Sequence, residues 1–503
     1  KTIYSTTTKE ERRGLTSVME KIRQKLLPLI GGLLIALASP AHSVENPVLP
    51  LQQAVQTALK DSPALAAAKA TVESALAQQL ILLGTYDTSL SAAISRIDAK
   101  TPPAVFFLTP RTITDSASIG LAKRFATGTN AIAQSSVSKE LDNVDSAFTL
   151  NPRVRSNLNL SLTQSLLKGF IGRPDRAALR ESEFTVRMAR ADLDRAAELL
   201  AQQVSAAYWT LWLGRRNKKV LEDSQAEARE FLETTRKLAK RYEAEKDDLL
   251  RAEASLLSKE LEVLEADEAI LDRQEKLRIL LAKPSLDAAL EDPAPPGDIP
   301  ELDEALAQAQ LARRDLAARR SAAKRDKLHL ESLRGLGLPE LDLSGSLGWS
   351  GLKDRNTESL KQLGRAGFRT WSIGLDLKYA FGARTDKGER RAAAASRMLS
   401  DARTRELRLE IERQVKTALA RLRLAKSRVE ITRRLEKMQE EALKISRKKY
   451  RQARISSRDR LLASDTALTA RGARIRAEAD GAVAQADQKA SVGGLLAWLG
   501  ITR

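Results

Sequence analysis

The sequence predicts a mainly α-helical protein with a membrane β-barrel, built from two tandem repeats of a strand pair and long coiled-coil helices. Three observations indicate this fold class. A long stretch of the chain matches a later stretch, charged residues make up 30% of the chain while aromatic residues make up 4%, and short alternating segments lie between long helical ones. This composition is typical of long helices packed side by side.

The internal repeat sets the domain organisation. Shifting the chain by 211 residues places Phe170 on Phe381 and Arg173 on Arg384, and the match continues without a gap to Leu211 on Leu422. Because repeats determine architecture and this unit is too long for a solenoid, a pseudo-symmetric two-unit protomer is expected. The predicted units are a first repeat at 44–290, a Pro-rich linker at 291–300 and a second repeat at 301–503.

Residues 1–43 are predicted to be an upstream extension and a secretory signal peptide. A basic segment at 21–25 precedes an apolar run at 26–38, and small residues at 41 and 43 suit a cleavage site. A membrane anchor is the weaker alternative, because a spanning helix needs about 20 apolar residues. Elsewhere no apolar run reaches that length, so membrane insertion would have to use β-strands.

Four segments alternate apolar and polar side chains with the two-residue period of a strand. They lie around 89–95, 157–163, 341–349 and 371–381. This pattern is typical of barrel strands that turn apolar side chains to lipid and polar ones to the lumen. Strands of a soluble sandwich are the alternative, and the long helical segments on both sides argue against it.

The first repeat carries additional residues. The offset between the repeats is 251 at Leu90 and Leu341 but 211 after the next strand, so the first repeat has 40 more residues within 98–155. Two alternating segments at 117–123 and 131–138 flank a turn at 126–130. We expect an extra hairpin, which either adds strands to the barrel or lies outside it.

Apolar residues at three-, four- and seven-residue spacing predict the long helices. They are expected at about 174–241, 247–283, 384–450 and 457–490. At about 1.5 Å per residue, the first would be roughly 100 Å long.

The chain resembles the outer-membrane efflux protein family, to which the TolC exit duct belongs. The resemblance covers nearly all of the chain after the signal segment, and four motifs carry it. They are Leu51-x-x-Ala54-Val55, the exit from strand to helix at 166–173, Val204-x-x-Ala207-Tyr208, and the tip segment at 450–463.

The resemblance implies a homotrimer in the outer membrane of a Gram-negative bacterium. Each chain would give four strands to one 12-stranded barrel, and the helices would form a periplasmic α-helical tunnel. The tunnel tip would meet a periplasmic adaptor protein and an inner-membrane transporter. The implied function is a passive exit duct of a tripartite efflux or type I secretion system.

The resemblance also implies a gate at the hairpin tips. In well-known members two acids ring the closed aperture; Asp459 matches the first, and Leu462 stands in place of the second. The family usually has glycine three residues after the tip aromatic, where this chain has Ala453. The spacing from Tyr242 to Leu250 is three residues shorter than that from Tyr450 to Leu461. The predicted tip residues are Tyr450, Arg454, Ser457, Arg458, Asp459 and Leu462 in the second repeat, and Tyr242, Asp248 and Leu250 in the first.

The second tip is strongly basic. Seven basic residues and one acidic residue lie between 447 and 460. In a trimer they would form a positive collar that favours anionic cargo or an acidic adaptor surface. The alternative is that they point outward and solvate the helices. The basic residues are Arg447, Lys448, Lys449, Arg451, Arg454, Arg458 and Arg460.

No catalytic constellation, metal site or cofactor site is expected. The chain has no cysteine and two histidines, which excludes disulfides and thiolate chemistry. Its basic residues are dispersed over helix faces, so no nucleic-acid partner is expected. The main alternative to a duct is an exported coiled-coil envelope scaffold without a pore. A periplasmic adaptor is a further alternative, although no lipoyl-like domain is visible. The cargo stays open.

Overall fold

A computed structural model describes residues 48–100, 102, 111–143, 150–242, 244–335 and 337–501. The predicted signal segment at 1–43 lies outside these residues. The first half contains β1 (Val48–Leu49), α1 (Leu51–Asp61), α2 (Pro63–Gly84), β2 (Thr88–Lys100), β3 (Arg111–Arg124), β4 (Thr129–Asp142), β5 (Arg153–Ser165), α3 (Arg173–Lys240), α4 (Lys246–Leu281) and β6 (Ala289–Leu290). The second half contains α5 (Leu302–Ala312), α6 (Arg314–Ser332), β7 (Glu340–Lys353), α7 (Asn356–Gly364), β8 (Arg369–Lys378), α8 (Arg384–Arg451), α9 (Ser457–Ser491) and α10 (Leu495–Trp498).

Two helical hairpins dominate the fold, and their bounds lie within two residues of those predicted. α3 packs against α4, and α8 packs against α9. α3 and α8 each contain 68 residues, which makes each helix roughly 100 Å long. Within the described ranges, no helix has both the length and the apolarity that crossing a membrane requires.

The long strands form one antiparallel sheet in the order β2-β3-β4-β5-β7-β8. The extra hairpin is therefore part of the sheet, because β3 and β4 lie between β2 and β5 and pair with both. The implied count of four strands per chain is wrong for the sheet, which has six strands among the described residues, whereas the implied total of 12 for a closed barrel stays a prediction. β1 and β6 form a separate parallel pair.

The main apolar core surrounds Tyr208, where α3 meets α1, α4 and α9. The fully buried Tyr208 hydroxyl donates to the Leu49 carbonyl and accepts from the Glu291 backbone N–H, both at 2.7 Å. These bonds tie the entry strand β1 and the Pro-rich linker to the same helix. Burial raises the pKa of Tyr208 to about 12.

Raising the pH from 9 to 12 is expected to lower the free energy of unfolding of the wild type by about 2 kcal/mol more than that of a Tyr208→Phe variant. The Tyr208 pKa is about 12 in the folded chain but about 10 when unfolded, so the unfolded chain ionises first. The stabilisation is complete below pH 10 and is lost as the pH rises toward 12. Urea unfolding of both proteins at the two pH values tests this, and equal losses would contradict it.

Candidate functional site

The two hairpin turns share one backbone design. α3 ends at Lys240 and α4 begins at Lys246, while α8 ends at Arg451 and α9 begins at Ser457. Each link has five residues. One residue in each link adopts a left-handed conformation, with φ of 59° at Tyr242 and 55° at Ala453. Left-handed backbone disfavours residues with a Cβ by about 1 kcal/mol, which explains why a glycine would suit this place.

This design corrects the sequence comparison of the two tips. The shared helix ends place Tyr242 on Ala453 and Leu250 on Leu461 at the repeat offset of 211. The shorter spacing in the first tip therefore results from matching Tyr242 with Tyr450, two tyrosines that do not occupy equivalent positions. Tyr242 lies in the link and is 99% exposed, whereas Tyr450 lies in the last turn of α8 and is buried.

Both predicted tip acids lie in the first turn of the helices that follow the links and take part in the cap there. The Ser456 hydroxyl accepts from the Asp459 N–H at 3.1 Å and donates to the Asp459 carboxylate at 2.8 Å. In the first tip, the Asp248 carboxylate accepts from the Glu245 N–H at 3.2 Å, completing a capping box. Each acid thus fixes the first turn of its own helix. For Asp459, a role in ringing an aperture stays a prediction.

Asp248 also joins the two tips. Its other carboxylate oxygen accepts a hydrogen bond from the hydroxyl of Ser457, at the start of α9. Ser457 is buried. Two predicted residues from separate repeats therefore meet in a single contact.

Tyr450 is the centre of a small apolar cluster between the hairpins. Its ring lies 5.2 Å from the ring of Phe231, and its hydroxyl lies 2.9 Å from Thr235 Oγ1. Since the Thr235 hydroxyl donates its one proton to the Phe231 carbonyl, the Tyr450 hydroxyl is the donor in the second bond. Burial raises the pKa of Tyr450. The other buried members of the cluster are Leu232, Leu238 and Ala252.

Three basic side chains of the second tip bind the first hairpin. Arg447 pairs with Glu227, and Arg451 pairs with Glu230. Arg460 is buried, with its guanidinium 5.9 Å from the centre of the Phe231 ring. Burial, followed by the charge of Arg447, lowers the pKa of Arg460.

The remaining basic side chains of the tip are exposed and form no ion pair within the described part of the chain. They are Lys448, Lys449, Arg454 and Arg458. Neither alternative for the basic segment describes the three arginines that join the hairpins, and for the four exposed side chains both alternatives stay predictions.

The structure brings Tyr450, Ser457 and Asp248 to the junction between the hairpins, and leaves Leu250 and Leu462 exposed. Sequence reasoning missed the α3 partners of this junction. The signal that could have found them is the apolar spacing of α3, which continues to the tip through Phe231 and Leu238. The missed residues are Glu227, Glu230, Phe231 and Thr235.

Replacing Tyr450 with phenylalanine is expected to destabilise the tip by about 1 kcal/mol, because the Thr235 hydroxyl loses its donor while the ring packing stays. A double-mutant cycle with Thr235→Val, measured by urea unfolding, isolates this bond. A coupling energy near zero would contradict it.

Among the described residues, no group of three or more His, Asp or Glu side chains could hold a metal ion. The contacts described at the tip are ion pairs, hydrogen bonds and apolar packing. Such contacts can hold two hairpins together and release them.

Solved outer-membrane channels share this fold of long helices and a sheet. The chain matches the Campylobacter jejuni CmeC outer membrane channel with a TM-score of 0.65 and 18% identity, covering 88% of this chain and 86% of that one. It matches the open state of the Neisseria gonorrhoeae MtrE outer membrane channel with a TM-score of 0.63 and 18% identity, covering 89% of each chain. The outer membrane protein VceC of Vibrio cholerae matches with a TM-score of 0.65 and 17% identity, covering 88% of this chain and 96% of that one.

These likenesses confirm, at the level of the fold, the predicted resemblance to outer-membrane efflux channels. No protein-family model matches the sequence, and no curated protein matches it. The structural neighbours are channel proteins rather than enzymes.

Proposed function

We propose that this protein is an outer-membrane efflux duct that passes substrate passively and catalyses no reaction. One observation carries the proposal: a sheet with one polar face and one apolar face, which α7 covers only at one end of β5 and β7, continues into long helices whose tips are held by breakable polar contacts. The shared fold with solved outer-membrane channels supports it. The duct would lie in the outer membrane of a Gram-negative bacterium, with its helices in the periplasm.

The apolar face of the sheet fits lipid. Ile94 is 89% exposed, and Leu90, Trp371, Ile373 and Leu375 on the same face are exposed as well. A soluble protein rarely leaves so large an apolar surface uncovered. The opposite face carries hydroxyl pairs that suit a watery lumen. Those pairs are Ser95 with Ser116 and Ser346 with Ser372, each at 2.7 Å.

The assembly would be a homotrimer. β2 and β8 are the edges of the sheet, and unpaired backbone groups at an edge cannot face hydrocarbon. Further copies of the chain would pair with both edges and close the wall. A periplasmic adaptor protein and an inner-membrane transporter would engage the tips, in either a tripartite efflux or a type I secretion system, and the transporter would choose the cargo.

A pore-free coiled-coil scaffold would also need long helices. It would not need a sheet with so many exposed apolar side chains on one face, so the sheet favours the duct.

Electron microscopy of the detergent-purified protein tests the proposal directly. The expected particle has three-fold symmetry, a detergent belt around the sheets and a helical tube of roughly 100 Å. A monomeric rod that stays soluble without detergent would contradict the duct and favour the scaffold.

The double variant Arg454→Glu and Arg458→Glu is expected to shift ion selectivity toward cations or to weaken adaptor binding, because both side chains are exposed at the tip. Reversal potentials in a planar bilayer under a salt gradient, together with adaptor pull-down, measure the two effects. The variant Arg423→Glu and Lys437→Glu makes the same charge change at exposed positions farther from the tip. If the tip variant behaves like this control in both assays, the basic tip has no such role.

A further inference from the structure

The extra hairpin has the same two faces as the rest of the sheet. In the hydrogen-bonded register, one row of directly paired residues crosses all six strands and is wholly apolar. The neighbouring row contains only polar residues and glycine. The apolar row is Leu90, Leu121, Ala133, Leu160, Leu347 and Trp371. The polar row is Ser91, Gly120, Gln134, Asn159, Gly348 and Thr370.

This continuity places β3 and β4 in the same layer as the other strands. A hairpin standing in water outside a membrane wall would be expected to carry polar side chains on both faces. Instead, Ile119 and Leu121 of β3 are exposed on the apolar face, next to Leu90 of β2. β3 and β4 each have 14 residues, which exceeds the 9–11 or so that a tilted membrane strand needs.

We infer that each chain contributes six strands to the membrane wall, so that three copies close an 18-stranded barrel in which β8 of one chain pairs with β2 of the next. This inference rests on the trimeric duct proposed above. With strands about 4.8 Å apart and tilted by about 40°, the backbone diameter would be roughly 36 Å, against roughly 24 Å for 12 strands.

The width has a consequence for cargo. The polar row that would line the middle of the lumen carries short or uncharged side chains, and the wider circle leaves room between them. At the level of this row the lumen would therefore neither exclude bulky cargo nor sort it by charge, although Arg155 lies on the same face, two rows away. Selection would fall to the helical tips, where charged contacts join the hairpins.

Cysteine labelling in intact outer membranes tests the inference, since the natural chain has no cysteine. In β3, Ser118→Cys would face the lumen and Ile119→Cys would face lipid. A membrane-impermeant maleimide is expected to label the first at least tenfold faster than the second. In β7, Ser346→Cys and Leu347→Cys form the matched control pair.

The control pair separates the two ways of failing. If both pairs label unequally, the hairpin belongs to the membrane wall. If only the β7 pair does so, the hairpin lies outside the wall and the inference is overturned while the duct stands. If the β7 positions label at equal rates, the sheet does not span the membrane and the proposed function itself is overturned.

Deleting residues 104–143 gives an independent measurement. It removes β3 and β4 and restores the repeat length of the second half. Electron microscopy is expected to show a three-fold particle whose barrel is narrower by about one third, because diameter grows linearly with strand number. An unchanged diameter would overturn the inference. A variant that fails to assemble leaves the labelling result as the deciding one.

Discussion

Replacing Glu227 with glutamine is expected to lower the free energy of local opening at the hairpin tips by about 2–3 kcal/mol. This value lies between those for exposed and fully buried ion pairs. The Glu227 side chain is 15% exposed. It pairs with Arg447 of α8, lies 3.7 Å from Arg471 of α9, and accepts a hydrogen bond from Ser464 at 3.4 Å. One carboxylate on α3 therefore holds both helices of the other hairpin. Glutamine would keep the shape and leave Arg447 without its counter-charge, while Arg471 would keep its pair with Glu440 at 3.0 Å.

Glu230 provides the matched control one helical turn away. It also pairs with an arginine of α8, Arg451, but its side chain is 53% exposed and that of Arg451 is exposed as well. Glu230→Gln is therefore expected to cost less than about 1 kcal/mol. The two changes are the same substitution and differ in the burial of the carboxylate and in the number of its partners.

Hydrogen–deuterium exchange measures this difference locally. Amides of the last turns of α8 and the first turns of α9 are expected to exchange roughly 30–150-fold faster in Glu227→Gln, and less than about sixfold faster in Glu230→Gln. In a planar bilayer, Glu227→Gln is also expected to raise the open probability, if the tips form the gate. Equal exchange in the two variants would show that Glu227 does not hold the hairpins together.

The long helices were predictable because their signal is repeated over many turns. The bounds of α3 and α8 follow from apolar periodicity, and the repeat supplies the same boundary twice. The sequence predicts that the extra hairpin exists but not which strands it pairs with. Alternation reveals the strands β3 and β4, but which strands pair with them depends on contacts between distant parts of the chain, which a local pattern does not contain.

The tip was predicted in part. Tyr450, Asp248 and Ser457 were found, but their partners on α3 were not, because pairing across hairpins depends on how two helices are rotated against each other. The tyrosine mismatch has a different cause. The sequence suggests that Tyr242 corresponds to Tyr450, because both are tyrosines at a tip. In the structure Tyr242 corresponds to Ala453, because these two residues share the left-handed backbone conformation. Backbone geometry, rather than side-chain type, defines the equivalent positions.

Arg313 lies directly before α6 and next to the last residue of α9, and only 3% of its side chain is exposed. Its guanidinium donates to both carboxylate oxygens of Asp315, at 3.0 and 2.5 Å. It also donates to the side chain of Gln414 at 2.7 Å and to the Ser491 carbonyl at 3.1 Å. One side chain thus connects the start of α6 with α8 and with the end of α9.

Arg313→Ala is expected to destabilise the fold by about 3 kcal/mol, because it removes the two-bond partner of a largely buried carboxylate and leaves Asp315 with Arg195 at 3.9 Å. The neighbouring Arg314→Ala is the control, since Arg314 is 56% exposed and lies 3.8 Å from Asp194, and it should cost less than about 1 kcal/mol. Arg313→Lys should restore only part of the loss, because lysine cannot make the two parallel bonds to Asp315. Urea unfolding at pH 7 measures all three.

The pH dependence of this loss identifies its cause. Burial alone would raise the pKa of Asp315, but the hydrogen bonds and charge of Arg313 hold the pKa below its ordinary value. The stabilisation is therefore present at neutral pH and is lost as the pH falls below about 4. The difference between the wild type and Arg313→Ala should shrink at pH 3. A difference that stays constant would mean that Arg313 acts through packing rather than through its bond to Asp315.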